Sequence, residues 1–374
     1  MNSLGGRGGI ERVTIVKANA MAEIQDNEVA ICYTDKGSYP TTIHPLSPKV
    51  KVFDLGTPYW GFTSLRTVVQ KFVSTVLATR KSLKLVIEEF QPDIVISTGS
   101  YEKFALALIN RTSKDKFKKI REFHFASTYR DFLGGSHILK HAAAFLDNKV
   151  LTRFYDKNFL LTRRDMEENF HGKKRFDFMP NPCSFTTVCS DTAIRSKTVL
   201  AVGRLVEQKG FNELLDIWAL IKGKAIGWKL KIIGAGHLEN CLKSQAMQLG
   251  IADVVEFAGF SFDVQTEMRK ASAFVMTSVY EGFALVMIEA MHEGLPCVSF
   301  NLPYGPSEII EDGENGYLIN GRDKYDFARK LLLLLNNNDL RKNMAREASK
   351  SVLQFSPEQI AEKWIMKYTE LLRK

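Results

Sequence analysis

No Cys-x-x-Cys pair occurs in this sequence, and none of its five cysteines (Cys32, Cys183, Cys189, Cys241, Cys297) has a histidine at zinc-ligand spacing. A disulfide framework and a structural zinc site are both excluded as organising principles, and a reducing, cytosolic setting is the expectation. Asp-x-Asp is missing throughout, which removes the simplest way to hold Mg²⁺ or Mn²⁺ on a nucleotide diphosphate. No metal and no cofactor are expected. The longest apolar stretches, such as Leu331 to Leu335, fall far short of a bilayer crossing, and the first residues show no charged-then-apolar leader. A chain that neither spans a membrane nor is secreted is expected.

What is present is enough for two cores. The 374 residues are 45% hydrophobic, which suits two domains of roughly 150–200 residues each. Short β-rich runs alternate with helical stretches along the first half, at Val29 to Tyr33, Val50 to Leu55, Ile94 to Ser97, Ile120 to Phe125 and Phe159 to Leu161. They recur in the second half at Thr198 to Val202, Leu230 to Ile233, Val254 to Phe257, Ala273 to Met276 and Cys297 to Phe300. Such alternation predicts parallel βαβ units, hence an α/β protein of two Rossmann-like, doubly wound domains. The turn-rich stretch from Met179 to Cys183 marks their boundary. Residues 1–180 form the first domain, 181–356 the second, and 357–374 a helix that returns to the first. That helix carries Ile360, Trp364, Tyr368 and Leu371 on one stripe.

The charge is lopsided. Residues 1–180 hold 28 Lys and Arg against 19 Asp and Glu, whereas residues 181–374 hold 23 of each. The clusters from Arg111 to Arg121 and at Lys173, Lys174 and Arg175 are candidates for phosphates or an anionic membrane face. They are not interleaved with aromatics as a stacking platform for nucleic acid would be, so nucleic acid is not expected as a partner.

Three segments point to a ligand bearing phosphates and hydroxyls. In Gly203-Arg204-Leu205-Val206-Glu207-Gln208-Lys209-Gly210 a strand ends at glycine and two cations stand five apart before a helix opens at Phe211. An arginine fork and a lysine point charge together can neutralise a diphosphate without metal. In Glu281-Gly282-Phe283-Ala284-Leu285-Val286-Met287-Ile288-Glu289 one carboxylate precedes a helix and the other lies within it. Gly282 implies a helix start whose free amides, Phe283 to Leu285, suit phosphate. His124 ends a predicted strand, Asn181 sits between two prolines, and Gly8-Gly9 precedes a helical pattern from Ile10 with no strand in front of it. The first strand of the N-terminal sheet is therefore expected to be missing.

In this order, Gly8-Gly9-Ile10-Glu11-Arg12, His124, Pro180-Asn181-Pro182, Gly203-Arg204, Lys209-Gly210, Glu281 to Glu289 and Asn315-Gly316 resemble the retaining glycosyltransferases of family 4, of GT-B architecture. The resemblance spans nearly the whole chain and implies two domains facing a cleft. It implies that Arg204 and Lys209 hold a nucleotide-sugar diphosphate and that Glu289 takes the ribose hydroxyls. Glu281 would bind the transferred sugar, with phosphates meeting the amides from Phe283 to Leu285. His124 would stand beside the anomeric centre once the domains close, and Gly9 would let the backbone approach the diphosphate. The base would rest near Gly259 and Phe260. Ala284 stands where the family often has glycine.

The implied activity is transfer of a hexose or N-acetylhexosamine, from a UDP-sugar by preference, to a glycan or lipid-linked acceptor at the inner membrane face. A nucleotide-sugar epimerase, a sugar phosphorylase and a non-catalytic nucleotide-sugar binder are the alternatives on the same fold.

Overall fold

The structure, a computed structural model, describes residues 8–34, 44–57, 65–99, 102–109, 117–128, 141, 144–185 and 196–373. Gly5 to Arg7, Arg111, Lys114 and Lys116 lie outside these residues. The chain divides into two compact units, one comprising Met1–Ser184 and Pro357–Lys374, the other Phe185–Ser356.

The second unit is a six-stranded sheet in the order β12-β11-β10-β7-β8-β9, every pairing parallel. Its strands are β7 (Thr198–Val202), β8 (Lys229–Ile233), β9 (Val255–Gly259), β10 (Ala273–Met276), β11 (Cys297–Phe300) and β12 (Gly316–Ile319). All residues of β10 and β11 are buried, as their unbroken apolar runs require of strands covered on both faces. The order steps outward from β7 through β8 to β9, then jumps back so that β10 lies against β7 on its other side. That reversal is a topological switch point, where ligands of open α/β sheets bind beyond the carboxyl ends of the strands. The helices are α5 (Phe211–Ile221), α6 (Glu239–Gln248), α7 (Val264–Lys270), α8 (Leu285–His292), α9 (Lys324–Asn336) and α10 (Asn338–Ser351). Side chains of Asp263, Asp323 and Asn337 cap α7, α9 and α10 by accepting amides of their first turns. Asn315-Gly316 leads into β12, which pairs parallel to β11.

The first unit contains β1 (Val29–Tyr33), β2 (Val50–Asp54), β3 (Ile94–Ser97), β4 (Lys118–Glu122), β5 (Lys157–Leu160) and β6 (Phe176–Phe178). Its helices are α1 (Gly9–Ala22), α2 (Leu65–Phe90), α3 (Glu102–Ala107), α4 (Arg163–Phe170) and α11 (Pro357–Leu372). β1 and β2 form one parallel pair, and β3 to β6 a separate four-stranded parallel sheet. β6, three residues only, escaped the sequence reading. α11 stacks Trp364 edge-on against Phe159 at 4.5 Å between ring centres and ties Lys367 to Asp177 at 2.8 Å. Two of the basic residues assigned to a surface cluster are interior: Lys119 and Arg121 are each 4% exposed. Lys119 donates to the Ile109 carbonyl, and Arg121 pairs with Asp147 at 2.6 Å. They lie on β4, where outward charge would face packed helices, so burial with a partner replaces solvation.

Candidate active site

At the switch point two loops are laced together. After β7 the chain runs through Gly203 to Gly210; after β10 it runs from Thr277 to Ala284. The Val279 amide donates to the Gln208 carbonyl at 2.7 Å, Gln208 Nε2 to the Tyr280 carbonyl at 3.0 Å, and Thr277 Oγ1 to the Lys209 carbonyl at 3.2 Å. Gly210 permits this approach, since it holds φ +62° and a Cβ there would lie 2.3 Å from the Thr277 carbonyl oxygen.

The lacing delivers Lys209 to Glu281. Nζ donates to Oε1 at 2.6 Å, and the same oxygen accepts from Ser278 Oγ at 2.7 Å. Both side chains are largely shielded, so the pair is a charge-assisted contact in low dielectric and not a solvated surface bridge. Gly203 leaves room for the lysine stem, which a Cβ would meet at 3.2 Å. Arg204, one residue on, is exposed, and among the described residues no carboxylate pairs with it. It stands near Tyr280, whose phenol is pushed up by burial, with the arginine charge opposing. The switch point therefore presents an uncompensated guanidinium beside a lysine–carboxylate pair.

α8 begins one turn of chain later. Ala284 is its N-cap, in the left-handed region at φ +54° and ψ +50°, a conformation costing an alanine about 1–2 kcal/mol. A glycine would adopt it without that cost. The helix proper starts at Leu285, so of the three amides expected at its start those of Phe283 and Ala284 precede it. The Phe283 ring is buried against Phe355 at 5.5 Å. Glu289 is 2% exposed, which excludes a solvated helix charge.

In the first unit β4 stops at Glu122, so His124 lies in a turn two residues past the strand it was expected to end. Its side chain is 3% exposed, and among the described residues neither ring nitrogen has a hydrogen-bond partner. Burial pushes its pKa down to about 4 against the opposing pull of Glu122, 3.7 Å away, while Lys17, bonded to that carboxylate, adds to the depression. The neutral ring is thus fixed across physiological pH. The unfolded chain takes up a proton near pH 6.5 and the folded chain only near 4, so stability falls as pH drops through this window, by up to about 3 kcal/mol. Denaturant titrations at pH 7 and 4.5 should show this loss, and His124→Gln should remove that component; equal losses in both proteins would exclude His124 as the source. Asn181 is 8% exposed and lines, with Glu122, Pro180 and Trp364, a small cavity in this unit. Gly8 caps α1 in an extended conformation and Gly9 opens it.

The family described as Glycosyl transferases group 1 matches residues 191–351. An uncharacterized glycosyltransferase of Haemophilus influenzae is 30% identical over 368 residues, covering 97% of this chain and 96% of that protein. The chain belongs to the group 1 glycosyl transferases. A Campylobacter jejuni relative, an N-acetyl-D-galactosaminyltransferase acting on an undecaprenol-diphosphate-linked glycan by its name, is 27% identical over 367 residues, covering 97% and 96% of the two chains. The Anabaena protein HepE, solved with UDP and glucose, superposes with a TM-score of 0.72 at 18% identity, covering 99% of this chain and 98% of that one. The shared fold is thus the GT-B architecture, with two Rossmann-like domains.

One support of this glycosyltransferase's switch point was not found from sequence. Arg322 donates to the carbonyls of Ser278 at 2.8 Å and Thr277 at 3.0 Å, and pairs with Glu213 at 2.6 Å. It braces the second loop from behind, from a position 41 residues beyond Glu281 that no local pattern connects to it. Asn315, 2% exposed, accepts the Glu311 amide at 2.9 Å and donates to the Ile309 carbonyl at 3.2 Å and Ser351 at 3.0 Å. Its place in the Asn315-Gly316 motif is structural, holding the turn that enters β12. Gly259 ends β9 at φ +70°, and Phe260 beyond it is half exposed, edge-on to Phe262 at 4.9 Å. An aromatic face open to solvent at a strand's carboxyl end can stack a base.

Proposed function

We propose that this chain is a retaining hexosyltransferase of family 4 that works without a metal. It transfers a hexose or N-acetylhexosamine from a UDP-sugar to a glycan or lipid-linked acceptor. The observation that carries the reading is the exposed Arg204 beside the Lys209–Glu281 pair, placed at the switch point of a parallel sheet. In this reading Arg204 and Lys209 meet the donor diphosphate, Glu281 the sugar hydroxyls and Glu289 the ribose. Amides at the start of α8 face the phosphates, Phe260 and Gly259 the base, and His124 serves the anomeric centre as a neutral hydrogen-bonding ring. Gly8, Gly9 and Asn181 shape the first unit's contribution.

Departure of the diphosphate leaves positive charge on the sugar ring and negative charge on the leaving oxygens. Fixed cations and amides aimed at those oxygens lower that barrier. No carboxylate is assigned as a nucleophile, so the acceptor oxygen bonds to C1 on the face from which the diphosphate leaves. The C1–oxygen bond to the diphosphate breaks as the new one forms, and the acceptor's hydroxyl proton passes to a diphosphate oxygen. The choice of UDP is supported by UDP and glucose in HepE, and a lipid-linked acceptor by the named substrate of the Campylobacter relative. Exposed Lys173, Lys174 and Arg175 supply a positive surface for an anionic acceptor or membrane. Among the described residues no helix is long and apolar enough to cross a membrane.

A panel of UDP- and GDP-sugars, scored by thermal shift and slow donor hydrolysis beside Arg204→Ala, tests the proposal. At a hundredfold excess over Kd the true donor stabilises by about 2.7 kcal/mol, a shift of several degrees, and Arg204→Ala should abolish it. A shift that persists in the variant would remove Arg204 from the site. Conversion of a UDP-sugar to its epimer without acceptor would replace transfer by epimerisation.

A further inference from the structure

In the first unit α1, β4 and α11 enclose an ion pair beside His124. Lys17 of α1 donates to Glu122 of β4, and each side chain is only 7% exposed. The Trp364 ring of α11 lies 4.9 Å from the ammonium and covers it. Glu122 Oε2 stands 3.7 Å from His124 Nε2, close enough to attract charge to the ring and too far to bond it. The loop that carries the ring is held at both ends. Before it, the Phe123 amide donates to the Phe159 carbonyl at 2.9 Å. After it, Ser127 gives its amide to Asp165 at 2.7 Å and its hydroxyl to the same carboxylate, and its carbonyl accepts Asn148 Nδ2 at 3.1 Å.

Stability alone does not call for this arrangement, because well-packed apolar residues of the same volume commonly match or better a buried ion pair. An apolar pair could not balance charge beside a histidine. Among the described residues Glu122 and Lys17 are the charges that act on the ring, in opposite senses, and the buried Tyr368 hydroxyl of α11 feels the same carboxylate. With Lys17 the ring meets a neutral pair; without it, a bare carboxylate that favours the imidazolium. We propose that Lys17 is a positioning residue for glycosyl transfer, whose ammonium lets Glu122 sit beside His124 without charging it. Both ring nitrogens, which have no hydrogen-bond partner among the described residues, then stay open, one to donate and one to accept at the sugar. This role rests on the proposed place of His124 at the anomeric centre.

The test is the titration of His124 itself, followed by NMR in protein with isotope-labelled histidine and assigned with His124→Gln, beside the pH profile of kcat/KM for UDP-sugar hydrolysis. Lys17→Gln and Lys17→Met, two shapes without the charge, should each move the His124 midpoint up from about 4 by about 1–3 pH units. The acid limb of kcat/KM should move with it. Lys17→Arg, which keeps the charge, should leave the midpoint in place. Glu122→Gln added to either uncharged variant should bring the midpoint back to the wild-type value or below, which lost packing alone would not do. A midpoint that stays put in both uncharged variants, or that Glu122→Gln fails to restore, overturns the role of Lys17. A midpoint that moves while hydrolysis keeps its wild-type profile overturns instead the place of His124 at the anomeric centre, and the role in transfer with it.

Discussion

Lys209→Ala is expected to lower kcat/KM for glycosyl transfer by about 10²- to 10³-fold, the range seen when one preorganised group that stabilises transition-state charge is removed. The same substitution strands a shielded carboxylate. Glu281 would keep only its Ser278 hydroxyl contact, so stability should fall by about 1–3 kcal/mol. These two effects separate in a double-mutant cycle. With Glu281→Ala in the background, the stability cost of Lys209→Ala should largely vanish because no unpaired charge remains, while the loss of diphosphate stabilisation should persist. Additive stability losses would mean that the 2.6 Å contact carries no net energy. A Lys209→Ala enzyme of undiminished kcat/KM would remove this lysine from the reaction.

Gly234→Ala should be among the most damaging single-methyl additions in the second unit. Gly234 follows β8 at φ +148°, and a Cβ there would stand 1.8 Å from the Gly203 carbonyl oxygen and 2.8 Å from its carbon. Neither atom belongs to a flexible side chain, so the backbone of one loop must move. Its amide also donates to the Gly259 carbonyl at 2.8 Å, and the Gly203 amide to Ile233 at 3.0 Å, so displacement would propagate along both. A loss of about 3–5 kcal/mol is expected, the upper range for point substitutions, measured by denaturant unfolding. Because the displaced loop carries Arg204, donor affinity should fall with stability. Gly223→Ala, where a Cβ would meet nothing within 4 Å, is the matched control and should stay within about 0.5 kcal/mol.

Five of the six strands of the second unit were legible in the sequence almost residue for residue, because strands buried on both faces must be short unbroken apolar runs between turn residues. Thr198 to Val202, Ala273 to Met276 and Cys297 to Phe300 are such runs, and each forms the strand expected of it. Edges were less legible. β6 has three residues of intermediate burial, too few for a period, and β4 carries Lys119, Arg121 and Glu122, whose burial depends on partners 10, 26 and 105 residues away. Asn315-Gly316 was visible as a motif, but its hydrogen bonds to Ile309 and Ser351 were not.

By itself the sequence determined the chemical inventory: two α/β cores, no Cys-x-x-Cys pair, and arginine, lysine and two glutamates flanking glycine-marked strand ends. Local spacing suffices for that, since strand period, helix caps and left-handed turns are properties of a few consecutive residues. Only the tertiary structure decided that Lys209 and Glu281, 72 residues apart, share a proton-donating contact, and that Arg322 braces their loop. It alone buried Glu289 and left both ring nitrogens of His124, among the described residues, without a hydrogen-bond partner. Those outcomes rest on strand order, which places β7 against β10, and on the low dielectric that packing creates, neither of which any short stretch of chain encodes.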